Sequence, residues 1–172
     1  MSCQDCQPGQ GDLLVVDDTS ANLRLLAQVL QDAGYRVRAV MTGARALAAA
    51  RQSPPDLVLL DLRLPDTDGV QLCAELKANP LTAQVPVIFI SAFDEPKAKM
   101  SAFAAGGVDY VVKPINPDEV LARVATHLAL RDLHMQLQDA NRSMQRQLAE
   151  LAQANADLKR QIELRHAAEA AV

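Results

Sequence analysis

The apolar and polar positions of this chain fall into short blocks of two kinds. Leu13-Leu14-Val15-Val16, Leu57-Val58-Leu59-Leu60, Val85 to Ile90 and Val108 to Val112 are dominated by aliphatic residues. Runs that short and that uniformly apolar suit strands buried on both faces, as in a parallel sheet. Tyr35 to Val40 instead alternates polar and apolar residues, which suits a more peripheral strand. Segments with helical spacing lie between these runs. Leu23, Leu26, Ala27 and Leu30 share one helix face, with Thr19 and Ser20 as N-cap candidates and Gly34 as a stop. Ala44 to Arg51 is an Ala-rich helix that ends at Ser53-Pro54-Pro55. Val70 to Ala78 reads as a helix covered by Val70, Cys73, Ala74 and the Leu76–Lys77 flank, and broken by Asn79-Pro80. Glu95 to Ala105 is a weaker helix closed by Gly106-Gly107. Strands alternating with helices predict an α/β fold with a doubly wound, five-stranded parallel sheet.

The strand ends carry the chemistry. The first run delivers Asp17 and Asp18, the third Asp61, the fourth Ser91 and the fifth Lys113. In a parallel sheet those carboxyl ends share one edge, and that edge is where such sheets bind ligands. Three neighbouring carboxylates do not all stay ionised unaided. Either one takes a proton or a cation neutralises the group. Oxygen donors with no His or Cys nearby suit Mg²⁺, with Mn²⁺ as a substitute. A divalent ion beside a carboxylate suits phosphoryl transfer with the carboxylate as nucleophile. Ser91 could then donate to one phosphoryl oxygen and Lys113 balance charge on another. Any one of these residues alone reads as a cap, a turn or a solvated surface group. Their convergence does not.

On these residues, 12–127 resembles a response-regulator receiver domain of two-component signalling. The matching elements are Asp17-Asp18, Asp61 within Leu-Leu-Asp-Leu-Arg-Leu-Pro-Asp-Thr-Asp-Gly, Ser91-Ala92, and Asp109-Tyr110-Val111-Val112-Lys113-Pro114. The resemblance implies a flavodoxin-like receiver fold in which Asp61 accepts a phosphoryl group from the phosphohistidine of a cognate histidine kinase or phosphotransfer protein. It implies that Asp18, Asp61 and the backbone carbonyl of Arg63 ligate Mg²⁺, with Asp17 acting through a bound water. It further implies that Ser91 and Tyr110 form a switch pair, that Lys113 contacts the phosphoryl group, and that the Lys113–Pro114 bond is cis. Arg63 and Phe93 fall where this family tunes the lifetime of the acyl phosphate. An enzyme with an aspartyl-phosphate intermediate, such as a dehalogenase-type phosphatase, would need a second Asp two residues after the nucleophile. Arg63 stands there instead.

From Asp118 to Val172 there is neither Gly nor Pro. Asn116-Pro117 with Asp118 and Glu119 opens a helix that has no evident stop, and some 50 helical residues would extend roughly 80 Å. Leu130, Leu137, Met144, Leu151 and Leu158 fall seven apart as d positions. The a positions are His127, His134, Asn141, Leu148, Asn155 and Ile162. This heptad seam predicts a coiled coil over 128–172, and Asn141 and Asn155 favour a parallel homodimer in register. A lone helix that frays or packs back on the domain is the alternative. His134 and His166 lack the Glu-x-x-x-Pro that follows a phosphoacceptor histidine. Residues 162–172 resemble a connector toward an output module, so the chain is expected to be the front end of a longer regulator.

Bulk properties narrow the field. The chain has 172 residues and a formal charge of −4, with 49% hydrophobic and 3% aromatic residues and no Trp. The core must therefore be aliphatic. Mild acidity without a basic face argues against nucleic-acid binding. No apolar run spans a bilayer and no signal peptide is evident, so no membrane association is expected and a cytoplasmic location is. A Gly-rich loop after the first strand, needed for nucleotide phosphates, is missing. Cys3 and Cys6 form half a zinc motif that Cys73 does not complete, so 1–11 is expected to be a disordered leader. A plain dimerisation scaffold with incidental phosphorylation is the competing function.

Overall fold

In the computed structural model, residues 11–92 and 96–172 are described. Cys3, Cys6, Phe93 and Glu95, on which expectations were placed, lie outside them. Five strands form one sheet: β1 (Asp12–Val16), β2 (Arg36–Val40), β3 (Leu57–Asp61), β4 (Val87–Ser91) and β5 (Asp109–Val112). The order is β2-β1-β3-β4-β5 and every neighbouring pair is parallel. The order reverses direction beside β1, which opens a crevice between the carboxyl ends of β1 and β3.

The period-2 alternation of each strand sends its apolar residues into two cores. On one face Leu14, Val16, Val58, Leu60, Val87, Phe89 and Tyr110 meet helices α2 (Gly43–Gln52), α3 (Gly69–Ala78) and α4 (Pro96–Ala104). On the other face Leu13, Val15, Leu57, Leu59, Ile88, Ile90 and Val111 meet α1 (Ser20–Asp32) and the start of α5 (Pro117–Ala170). Leu23, Leu26 and Leu30 supply the buried stripe of α1, and Val120 and Val124 that of α5. The central strands β3 and β4 are buried along their whole length, whereas β2 at the edge is half exposed. That difference is the one their uniform and alternating sequences predict.

Three details differ from the sequence expectation. The buried stripe of α3 is Gly69, Leu72, Cys73 and Leu76, and Ala74 faces solvent. Leu72 rather than Ala74 completes the i, i+3, i+4, i+7 stripe, since the larger side chain gains more from burial. Val85 is buried but precedes its strand. Pro86 lacks an N–H for the ladder, and its carbonyl accepts the Val58 N–H at 2.9 Å. The third concerns His127, placed in the seam by spacing. It turns into the domain, 2.8 Å from Asp109 Oδ2.

The chain divides into two units, 1–131 and 132–172. In the second, every described residue through Ala170 is helical. Its seam residues Leu137, Asn141, Met144, Leu148, Leu151, Asn155, Leu158 and Ile162 are all exposed, as is Leu130 just before the boundary. No helix among the described residues is long and apolar enough to cross a membrane.

Candidate phosphoacceptor site

Three of the candidate side chains share one strand parity. Asp61 is the last residue of β3, Asp17 follows β1 directly, and Lys113 follows β5 directly. Counted along the strands, all three point to the side of Leu59, Val15 and Val111. One carboxylate oxygen from each of Asp17, Asp18 and Asp61 lies within 4.8 Å of the others. Asp17 and Asp61 are only 1% and 5% exposed, whereas Asp18 faces solvent.

The Lys113 ammonium bridges the two buried carboxylates, 2.8 Å from Asp61 Oδ2 and 3.2 Å from Asp17 Oδ2. Asp17 is also held by the opening of α1, accepting from the Thr19 N–H at 2.8 Å and from Asn22 Nδ2 at 3.2 Å. Thr19, the N-cap residue of α1, makes no side-chain cap bond. Its hydroxyl donates to Asp18 Oδ1 at 3.2 Å. The Arg63 N–H donates to Asp61 Oδ1 at 3.0 Å.

Burial pushes the Asp61 carboxyl above its usual value. Lys113 and the Arg63 N–H pull part of that back, and Asp17 adds to the push. Burial acts to lower the Lys113 ammonium, but the bonds and charges of Asp61 and Asp17 outweigh it and hold its pKa above the ordinary lysine value. Asp61 thus bears its negative charge less easily than an ordinary aspartate. A hard cation would relieve this, and an all-oxygen donor set is what such a cation takes.

Ser91 and Tyr110 lie on the opposite parity. Ser91 is the last residue of β4 and only 1% exposed. Its carbonyl accepts the Lys113 N–H at 2.8 Å. Tyr110 sits opposite Phe89 in the β4–β5 register and Val112 opposite Ser91, so Ser91 and Tyr110 occupy one face of neighbouring strands. The Tyr110 ring is buried, and Lys99 Nζ stands 5.4 Å from its centroid. Ser91, Arg63, Thr67, Asp68 and Ser101 help line a cavity of about 540 Å³ between the β3–α3 loop and α4. The Lys113–Pro114 peptide is cis.

Two contributors were not singled out from sequence. Asn22, five residues beyond Asp17, is the sort of polar first-turn residue that a strand–Asp–helix reading can find. Lys99 reaches Tyr110 from a helix of almost no amphipathic character, and no local signal marks it.

With this geometry in hand, comparison with known proteins settles the class. Residues 13–125 match the family model of the response regulator receiver domain, and the chain belongs to that family. The domain is a regulatory phosphoacceptor domain. Over 112 residues the chain is 40% identical to response regulator PleD of Caulobacter vibrioides, covering 65% of this chain and 25% of PleD. It is 46% identical over 112 residues to transcriptional regulatory protein KdpE of Mycobacterium tuberculosis, covering 65% of this chain and 48% of KdpE. The crystal structure of NtrX from Brucella abortus aligns with a TM-score of 0.72 at 30% identity, over 77% of this chain and 30% of that one. The chain therefore spans between a quarter and a half of these relatives.

Proposed function

We propose that the chain is a Mg²⁺-dependent phosphoryl switch. Asp61 takes a phosphoryl group from the phosphohistidine of a cognate histidine kinase or phosphotransfer protein. The observation that carries this reading is a nearly buried Asp61 carboxylate at the carboxyl edge of the sheet, within 4.8 Å of two other carboxylates and bonded to Lys113. An Asp61 oxygen attacks phosphorus as the phosphorus–nitrogen bond of the donor breaks. The electron pair stays on the imidazole nitrogen, which takes up a proton, and an acyl phosphate remains on Asp61.

Bound Mg²⁺ supplies charge screening between the nucleophile and the incoming oxygens. Asp18, Asp61 and the Arg63 carbonyl would hold it, and Asp17 would act through one of its waters. Manganese suits the same donors. Lys113 exchanges its bond to Asp61 Oδ2 for a phosphoryl oxygen, and Ser91 donates to another. Ser91 and Tyr110 share a sheet face, so movement of the hydroxyl changes the space beside the ring and gives the domain a two-state element. The domain's own chemistry is limited to phosphotransfer and self-catalysed dephosphorylation.

The seam of α5 carries the change onward as a parallel homodimer, in the cytoplasm, to an output module. Leu137, Met144, Leu148 and Leu151 are each about 60% exposed, more contiguous apolar surface than an unpartnered helix sustains. Asn141 and Asn155 would each face their own mates across the pair. The expected boundaries, 12–127 for the switch and 128–172 for the paired helix, follow from this division of labour.

The test is intact mass together with solution molecular weight, with and without a small phosphodonor and Mg²⁺. A magnesium-dependent gain of one phosphoryl group by a dimer, abolished in Asp61→Asn, is the expected result. A dimer without that gain would leave the scaffold reading in its place. A phosphorylated species that remains monomeric throughout would refute the paired helix.

A further inference from the structure

The β3–α3 loop holds a carboxylate that the switch chemistry above does not use. Asp66 is exposed, yet both its oxygens are engaged away from the phosphoacceptor. Oδ1 accepts the Gly43 N–H at 2.8 Å and Oδ2 the Ala44 N–H at 2.9 Å. These are the first two N–H groups of α2, which no intrahelical carbonyl can satisfy. The helix's own N-cap, Thr42, serves only Arg45 through its hydroxyl, at 3.3 Å. Asp66 therefore caps α2 from another loop, more than twenty residues away in sequence. The helix dipole favours a negative charge at that point.

The fit is close on both sides. A Cβ on Gly43 would overlap the Thr67 methyl, so glycine lets the loop seat against the helix. The rest of the loop is pinned to itself and to the start of α3. Arg63 and Asp68 pair in an isolated antiparallel bridge, Gly69 N–H reaches the Leu62 carbonyl at 2.9 Å, and Asp68 caps α3 through the Val70 N–H at 3.0 Å. The turn residues 64–67 between Arg63 and Asp68 are anchored outward through Asp66.

We propose that Asp66 is a positioning residue for the cation site: its bidentate cap on α2 fixes the loop that presents the Arg63 backbone beside Asp61, and so sets the affinity for Mg²⁺. This rests on the metal reading above. It assigns the α2 N-terminus, which carries no group of the site, a part in holding the site together.

Mg²⁺ titration calorimetry on the full chain tests it without any phosphodonor. Asp66→Ala should weaken Mg²⁺ binding by up to roughly tenfold, no more than the least that losing a direct partner of a metal ligand costs. Asp66→Asn, which keeps one acceptor oxygen, should fall between. Gly43→Ala, whose added Cβ would push the Thr67 methyl and the loop off the helix, should weaken binding in the same direction. With a phosphodonor present, the Mg²⁺ concentration for half-maximal labelling should rise while the rate at saturating Mg²⁺ is kept. Unchanged Mg²⁺ affinity in folded Asp66→Ala and Gly43→Ala overturns the inference, as does a lost rate that saturating Mg²⁺ does not restore. If wild type itself binds no Mg²⁺, or Asp61→Asn binds it equally well, the metal reading has failed and takes this one with it. The failures are therefore distinguishable.

Discussion

The two edges of the sheet treat their carboxylates in opposite ways. At the amino edge, Asp12 opens β1, Asp56 precedes β3 and Asp109 opens β5, and each has its own cation. Arg38 binds Asp12 at 3.0 Å, and its two terminal nitrogens also close the end of α2 on the Ala49 and Ser53 carbonyls. Arg131 binds Asp56 at 3.1 Å. Asp109 meets both Arg123 at 2.6 Å and His127 at 2.8 Å, residues one turn apart on α5. At the carboxyl edge, Asp17, Asp18 and Asp61 gather within 4.8 Å, and Lys113 reaches two of them. One edge is neutralised by its own side chains. The other holds an excess of negative charge that burial aggravates. Such an imbalance costs stability and persists where a ligand is meant to correct it.

Substitutions at the two edges should therefore change stability with opposite sign. The largest effect is expected at the balanced edge. Asp109→Ala strips a common partner from Arg123 and His127 and should lower unfolding free energy by about 2 kcal/mol, taking charge-assisted bonds at ~1.5–3 each and discounting for the exposure of Arg123. Urea denaturation reads it as a lower midpoint at unchanged slope. An unchanged midpoint would mean that the amino-edge pairs are surface ornaments and the contrast is empty.

At the other edge, Asp61→Asn keeps the shape of the side chain and removes a charge that burial and Asp17 both disfavour. Lys113 retains Asp17 as its partner. In Mg²⁺-free buffer the variant should be more stable than wild type, read as a higher urea midpoint, by less than Asp109→Ala loses. A loss of stability instead would show that Lys113 balances the carboxyl edge as fully as the arginines balance the amino edge.

The carboxyl edge was far more legible in the sequence than the amino edge, for a physical reason. A strand buried on both faces tolerates no charge, so the residue where an apolar run breaks is conspicuous. Asp17, Asp61, Ser91 and Lys113 each stand at such a break. The amino-edge carboxylates pair with Arg38, Arg123 and Arg131, on an edge strand and on α5, and only the folded topology brings them together. The same limit hid Asp66, whose partners belong to a separate helix, and misassigned His127. Heptad spacing registers a residue's angle on a helix but not where a domain ceases to cover it. Ala74 was misplaced because a short Ala-containing helix offers several stripes of similar angle, and side-chain volume decides between them.

The smallest effect is one of pH, and it sharpens the contrast at Asp109. Burial alone would raise this carboxyl, but the bonds from Arg123 and His127, with the Tyr110 N–H, hold it below the ordinary aspartate value. A carboxyl depressed in the folded state binds fewer protons there than in the unfolded chain. Its stabilisation is complete above the unfolded pKa near 4 and disappears as pH falls through the folded value. The stability gap between wild type and Asp109→Asn should therefore be present at about pH 5 and narrow as pH falls below about 4, by less than either effect above because Arg123 is partly solvated. Urea midpoints of the two proteins across that range measure it. A gap that stays constant into strong acid would mean that Asp109 holds α5 by hydrogen-bond geometry alone. Charge matching would then cease to distinguish the amino edge, and only the crowding at Asp61 would separate the two ends of the sheet.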